Sequence, residues 1–185
     1  LAAGETAAIR KSSGRYMVLY TGGFAAFCLI APEIVKIMGG EIYAGSQKVA
    51  LLLLMGIYLI YMYSFPVNFK TYQKRTVSIA LGTVFASLVN VAVCLWLTPR
   101  ISYWGTALAI VAAYLSLFLV HQFTIHDNKG EYGYKITFFL PGFLVACAAC
   151  AGAWLLDGYV LVRWGIAVVI GVLLLIRIIR QKNIF

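Results

Sequence analysis

The residues of this chain that could move a proton, hold a metal or attack a substrate are few and scattered. Its carboxylates are Glu5, Glu33, Glu41, Asp127, Glu131 and Asp157. None is central in an apolar segment, and no two form an evident pair. His121 and His126 stand at the end of the fourth apolar segment and in the loop after it. An enzyme acting on phosphates or glycans at a membrane face gathers carboxylates or histidines there to bind metal or transfer protons. No nucleophile elbow, Walker-type phosphate loop or HExxH helix is present. The expectation is therefore a non-enzyme with no catalytic residues, no metal site and no cofactor.

The remaining polar features read as follows. Cys147 and Cys150 have CxxC spacing, which in a soluble redox protein would mark a dithiol. Here the pair lies in a run of alanines within an apolar segment, where cysteine behaves as a small apolar residue. Asn90 is the one amide deep in a span. Such a group serves either a hydrogen bond between helices or a solute path. Tyr58 and Tyr61 belong to a tyrosine-rich stretch that suits an interfacial belt or a surface for stacking on sugar rings. Asn90, Tyr58 and Tyr61 are the substrate-path candidates. Lys48 and Arg100 read as solvated loop charges.

The elements that must position these residues follow from composition. Of 185 residues, 63% are hydrophobic and 11% charged, with a mean hydropathy of +0.91. A chain this apolar cannot hide its side chains in a water-soluble core of that size, so an integral membrane protein is expected. The net charge of +9 would point to nucleic acid in a soluble protein. Here the basic residues sit between apolar spans, and no nucleic-acid partner is expected. The chain starts at Leu1 with a polar stretch rather than a cleavable signal, and the expectation is a piece of a longer protein.

Six spans are predicted, giving an all-α polytopic bundle. The first begins at Tyr16, with Pro32 expected to interrupt it and Gly39-Gly40 to stop it. The second covers Val49 to Val67. The third and fourth form a hairpin from Val77 to Phe123, joined by Thr98-Pro99-Arg100-Ile101-Ser102, with Pro99 ending one helix and Gly105 opening the next. Gly82, Ala86, Asn90 and Cys94 recur every four residues on one side of the hairpin, and Gly105, Ala109 and Ala113 on the other. Small residues at helical spacing let backbones approach in lipid, so Gly82, Ala86, Gly105, Ala109 and Ala113 are expected to pack. The fifth span is Ile136 to Leu156, with a small centre from Ala146 to Ala153. The sixth is Val160 to Ile176, with Arg163 and Arg177 expected to snorkel from its ends.

Six spans put both termini on one side. Arg10, Lys11, Arg15, Lys70, Lys74, Arg75, Lys129, Lys135, Arg177, Arg180 and Lys182 fall there, against Lys36, Lys48, Arg100 and Arg163 opposite. This asymmetry predicts cytoplasmic termini. The corresponding organisation is a cytoplasmic segment 1–15, four transmembrane helices over 16–123, a cytoplasmic loop 124–135, two terminal helices over 136–176 and a cytoplasmic tail 177–185.

The order of several short motifs resembles one family. Ile30 to Tyr43 reads IAPEIVKIMGGEIY, followed by the tyrosine-rich span, then Val89-Asn90-Val91 leading to Leu97-Thr98-Pro99, then Trp104-Gly105-Thr106-Ala107-Leu108-Ala109 with Tyr114. This is similar to bacterial polysaccharide and O-antigen flippases of the multidrug/oligosaccharidyl-lipid/polysaccharide exporter superfamily. The likeness covers Tyr16 to about His121, and the last two spans fit by length and position.

The resemblance implies the last six of about fourteen spans of a two-bundle transporter in the bacterial inner membrane, with the N-terminal half of the same protein as partner. The implied function is the flipping of polyprenyl-pyrophosphate-linked oligosaccharide to the outer leaflet by alternating access. Substrate, membrane lipid and a coupling ion would be its other partners. The main headgroup-binding charges are expected in the preceding part of the protein. A multidrug and toxin extruder of the same superfamily would instead carry a protonatable residue inside a helix. A membrane-embedded glycan transferase or polymerase would show a large outer loop. A free-standing six-span scaffold is the remaining alternative.

Overall fold

The computed structural model describes residues 3–40, 45–125, 132 and 134–180, with side chains from residue 9 onward. Every regular element of substantial length among them is a helix: α1 (Ala3–Gly39), α2 (Gln47–Tyr72), α3 (Thr76–Ile101), α4 (Tyr103–Phe123), α5 (Ile136–Leu155) and α6 (Val160–Arg180). All six contain a stretch long and apolar enough to cross a bilayer. In hydrocarbon each backbone N–H and C=O must be satisfied within the segment, and the helix does this without a partner strand. The chain is thus a multi-pass, all-helical membrane protein. Expectations for residues 126–131, for the tail beyond 180 and for the Glu41–Tyr43 end of the motif fall outside the described residues.

The helices cluster into two compact units. One comprises residues 1–51 and 133–185, and the other residues 52–132.

In the first unit α1 packs on both α5 and α6. The face that α5 turns inward carries Phe139, Gly142, Ala146 and Ala153, all buried, at the spacing of one helical stripe. Cys28 of α1 is fully buried, and its sulfur lies 3.6 Å from that of Cys150. The Cys150 thiol in turn faces the Leu51 carbonyl at 3.7 Å. Contrary to expectation, Pro32 does not interrupt α1, which continues to Gly39. Proline withdraws one N–H, here the partner of the Cys28 carbonyl, but surrounding groups can make good such a loss in a membrane helix. The adjacent Leu29 carbonyl accepts a bond from Arg163 Nη1 at 3.4 Å.

In the second unit α3 and α4 form a tight antiparallel pair. Pro99 does not end α3. The helix runs on to Ile101, and the chain reverses at Ser102 alone, with φ 54° and ψ −138°. The Ser102 N–H donates to the Thr98 carbonyl and the Gly105 N–H to the Ser102 carbonyl, both at 2.9 Å. Arg100 donates to the Trp96 carbonyl at 2.8 Å while its guanidinium lies 4.8 Å from the Trp96 ring centre. The Arg100 side chain thus folds back along the last turn of α3. So short a reversal presses the start of α4 onto α3. A Cβ on Gly105 would lie 2.5 Å from the backbone carbon of Leu97 and 2.5 Å from the backbone nitrogen of Thr98.

Gly82, Ala86, Gly105 and Ala109 are buried and Ala113 is half-buried. The turn from α2 to α3 is closed by Lys74, which has φ 58°. The Lys74 N–H bonds the Thr71 carbonyl and the Arg75 N–H the Lys70 carbonyl, both at 2.9 Å, the double bond pattern of a Schellman helix end.

Candidate functional site

Asn90 lies where the hairpin opens. Thr83, Ala86, Ser87, Asn90 and Val91 of α3 and Ile110, Ala113, Tyr114 and Leu117 of α4 line a groove of about 410 Å³. The small side chains on both helices leave this space. The hydroxyls of Thr83 and Ser87 spend their protons on helix carbonyls, at 3.0 Å to Ile79 and 2.9 Å to Thr83 respectively. Their remaining lone pairs make that wall an acceptor surface. The Asn90 amide is half-buried and has no hydrogen-bond partner among the described residues. It keeps two donors and a carbonyl oxygen available.

The other path candidates are placed elsewhere. Tyr58 is fully buried and its ring centre is 6.1 Å from that of Tyr61. Neither lines the groove, where Tyr114 supplies the aromatic wall instead.

Next to this groove stands a cluster that sequence reasoning missed. Lys70, at the end of α2, is only 1% exposed and His121, at the end of α4, is 0% exposed. The Lys70 ammonium donates to Ser78 Oγ at 3.1 Å, to Thr124 Oγ1 at 2.6 Å and to His121 Nδ1 at 3.0 Å. An ammonium has three donors and no acceptor, so these three acceptors satisfy it completely. Because Nδ1 accepts, the His121 proton sits on Nε2, which is buried without a hydrogen-bond partner. That nitrogen is packed against Gly82, where a Cβ would come within 2.5 Å of it. The Tyr63 ring lies 5.2 Å from the imidazole.

Charge is also buried in the first unit. Arg163 was expected to snorkel, yet it is 1% exposed and ion-paired with Glu33. It further donates to the carbonyls of Leu29 and Asp157, each at 3.4 Å. A charge at this depth is tolerated when paired and hydrogen-bonded, and snorkelling is not required once α1 supplies a carboxylate. Asp157 also meets Lys48 at 3.6 Å, and Lys48 lies 5.7 Å from the Trp154 ring centre.

Predicted topology places Lys70 with His121 at one membrane face and Glu33 with Arg163 at the other. That shared side is the only signal in the sequence that could have suggested either pair. Among the described residues no three His, Cys, Asp or Glu side chains gather closely enough to hold a metal ion. Comparison with known proteins returned no match to a protein-family model, to a curated protein or to a solved structure.

Proposed function

We propose that this chain is the C-terminal segment of a bacterial flippase, a transporter rather than an enzyme. It would carry polyprenyl-pyrophosphate-linked oligosaccharide across the inner membrane by alternating access, for cell-surface polysaccharide synthesis. The observation that carries this reading is the Asn90 amide, left unpartnered in a groove walled by hydroxyls between two spans. Leaving an amide without a partner in an apolar setting costs free energy, a cost that is offset when a polar solute presents hydroxyls to it. Sugars offer both donors and acceptors, and the groove supplies both. The order of the motifs around Asn90, from Ile30 to Tyr114, supports the same conclusion. In this reading the polyprenyl tail stays in lipid while the glycan passes along polar walls.

The test is the leaflet distribution of lipid-linked oligosaccharide in cells carrying the full-length protein with Asn90→Leu or Asn90→Gln. Cytoplasmic-leaflet accumulation with leucine and partial recovery with glutamine is the expected result. Normal distribution with leucine would remove Asn90 from the path. Lipid-linked sugar that reaches the outer leaflet without the protein but stays unpolymerised would favour a transferase.

A proton-coupled multidrug extruder is the second reading, favoured by the buried Lys70–His121 pair. It requires His121→Gln to abolish pH-driven dye efflux while leaving lipid-linked oligosaccharide unaffected.

A further inference from the structure

The first unit carries an apolar groove of about 470 Å³ that the transport reading does not use. It is walled by α1 from Gly14 to Gly22, by α5 from Phe138 to Val145 and by α6 from Ile170 to Leu174, with Thr21 as its one polar side chain. The nine residues from Gly14 to Gly22 span eight helical steps and rise about 12 Å. Half the hydrocarbon core is about 15 Å, so the groove is one leaflet deep.

Its mouth is cationic from all three walls. Arg10 and Lys11 lie one turn before Gly14, Lys135 three residues before Phe138, and Arg177 three residues after Leu174. All four are exposed. The helices are tied at this level by a hydrogen bond of 2.6 Å between Ser13 and Tyr134. Among the residues whose side chains are described, which excludes Glu5, no carboxylate lies at the mouth. Glu33 belongs to the opposite end of α1, and Asp157 follows the opposite end of α5.

The geometry points to a binding site for an anionic glycerophospholipid, its acyl chain in the groove and its phosphate among Arg10, Lys11, Lys135 and Arg177. Depth and charge together select this occupant. A zwitterionic lipid gains little from four exposed cations, and a polyprenyl chain is longer than one leaflet is deep. The site does not depend on which solute the protein transports.

Native mass spectrometry of the full-length protein released from mixed phosphatidylglycerol and phosphatidylcholine nanodiscs tests this inference. Preferential retention of phosphatidylglycerol is expected. Replacing Arg10, Lys135 and Arg177 by glutamine should lower that retention by about fivefold per charge removed. Val18→Trp fills the groove from a position that is 42% exposed and should lower it with the charges intact. Lys74→Gln with Arg75→Gln removes equal-sign charge from the other unit and should leave it unchanged. Equal retention of both lipids, or retention indifferent to the Arg10, Lys135 and Arg177 changes, would overturn the assignment. Displacement of phosphatidylglycerol by equimolar polyprenyl phosphate with the same charge dependence would assign the groove to that lipid instead.

Discussion

Gly105 is the position at which the least change has the largest predicted effect. Its missing side chain lets α4 begin against the backbone of Leu97 and Thr98, with 2.5 Å to each nearest atom if a Cβ were added. Backbone cannot move aside as a flexible side chain can. Gly105→Ala should therefore destabilise the protein by about 1 to 3 kcal/mol through overpacking, seen as a lower thermal unfolding midpoint in detergent. The Lys70–His121 pair is a second test at this scale. Lys70→Met leaves the acceptors on His121 and Thr124 without their donor, at a cost of about 1 to 3 kcal/mol. Adding His121→Leu removes one of the stranded groups, so the double variant should be more stable than the sum of the singles predicts, a coupling a double-mutant cycle measures.

At the scale of elements, buried charge and buried thiols report how α1 meets its neighbours. Arg163 joins α6 to α1 through Glu33 and the Leu29 carbonyl. Arg163→Leu strands the Glu33 carboxylate and should cost about 3 to 5 kcal/mol. Glu33→Gln in the same chain should recover much of that loss, because the orphaned charge is then gone. Thermal unfolding of the three variants checks both statements. On the adjoining face, Cys28 of α1 and Cys150 of α5 are in sulfur contact at 3.6 Å. A thiol oxidant that enters membranes, such as copper–phenanthroline, should join Cys28 to Cys150 rather than to Cys147. Peptide mass spectrometry would identify the linked pair. Linkage through Cys147 would contradict the rotation of α5 that buries Phe139, Gly142, Ala146 and Ala153.

For the molecule as a whole, the testable quantity is orientation. The excess of lysine and arginine at the starts of α1, α3 and α5 and at the end of α6 predicts that this side faces the cytoplasm. Cysteines placed at Ser12 and at Tyr159, in a background lacking the four natural ones, should differ in their reaction with an impermeant maleimide added to intact cells. Tyr159→Cys should react and Ser12→Cys should require permeabilisation. The reverse pattern would invert the topology and exchange the faces on which the Lys70 and Arg163 clusters lie.

The sequence by itself determined that this protein is built for a membrane and has six segments long and apolar enough to cross one. Apolar stretches of bilayer length are a one-dimensional property, and hydropathy located all six helices. The ends were less legible, because proline marks a helix boundary in water more reliably than in lipid: α1 passes through Pro32 and α3 through Pro99. Asn90 was legible as an amide out of place in a span, but its groove was not, since the space depends on how Ala86, Ala113 and Tyr114 meet. The tertiary structure alone decided which charges pair. Lys70 and His121 are separated by 51 residues, and Glu33 and Arg163 by 130. The topology predicted from sequence puts each pair at one membrane face, but only the rotation of each helix about its axis could choose partners. That rotation is set by the close packing of small residues, which hydropathy does not record.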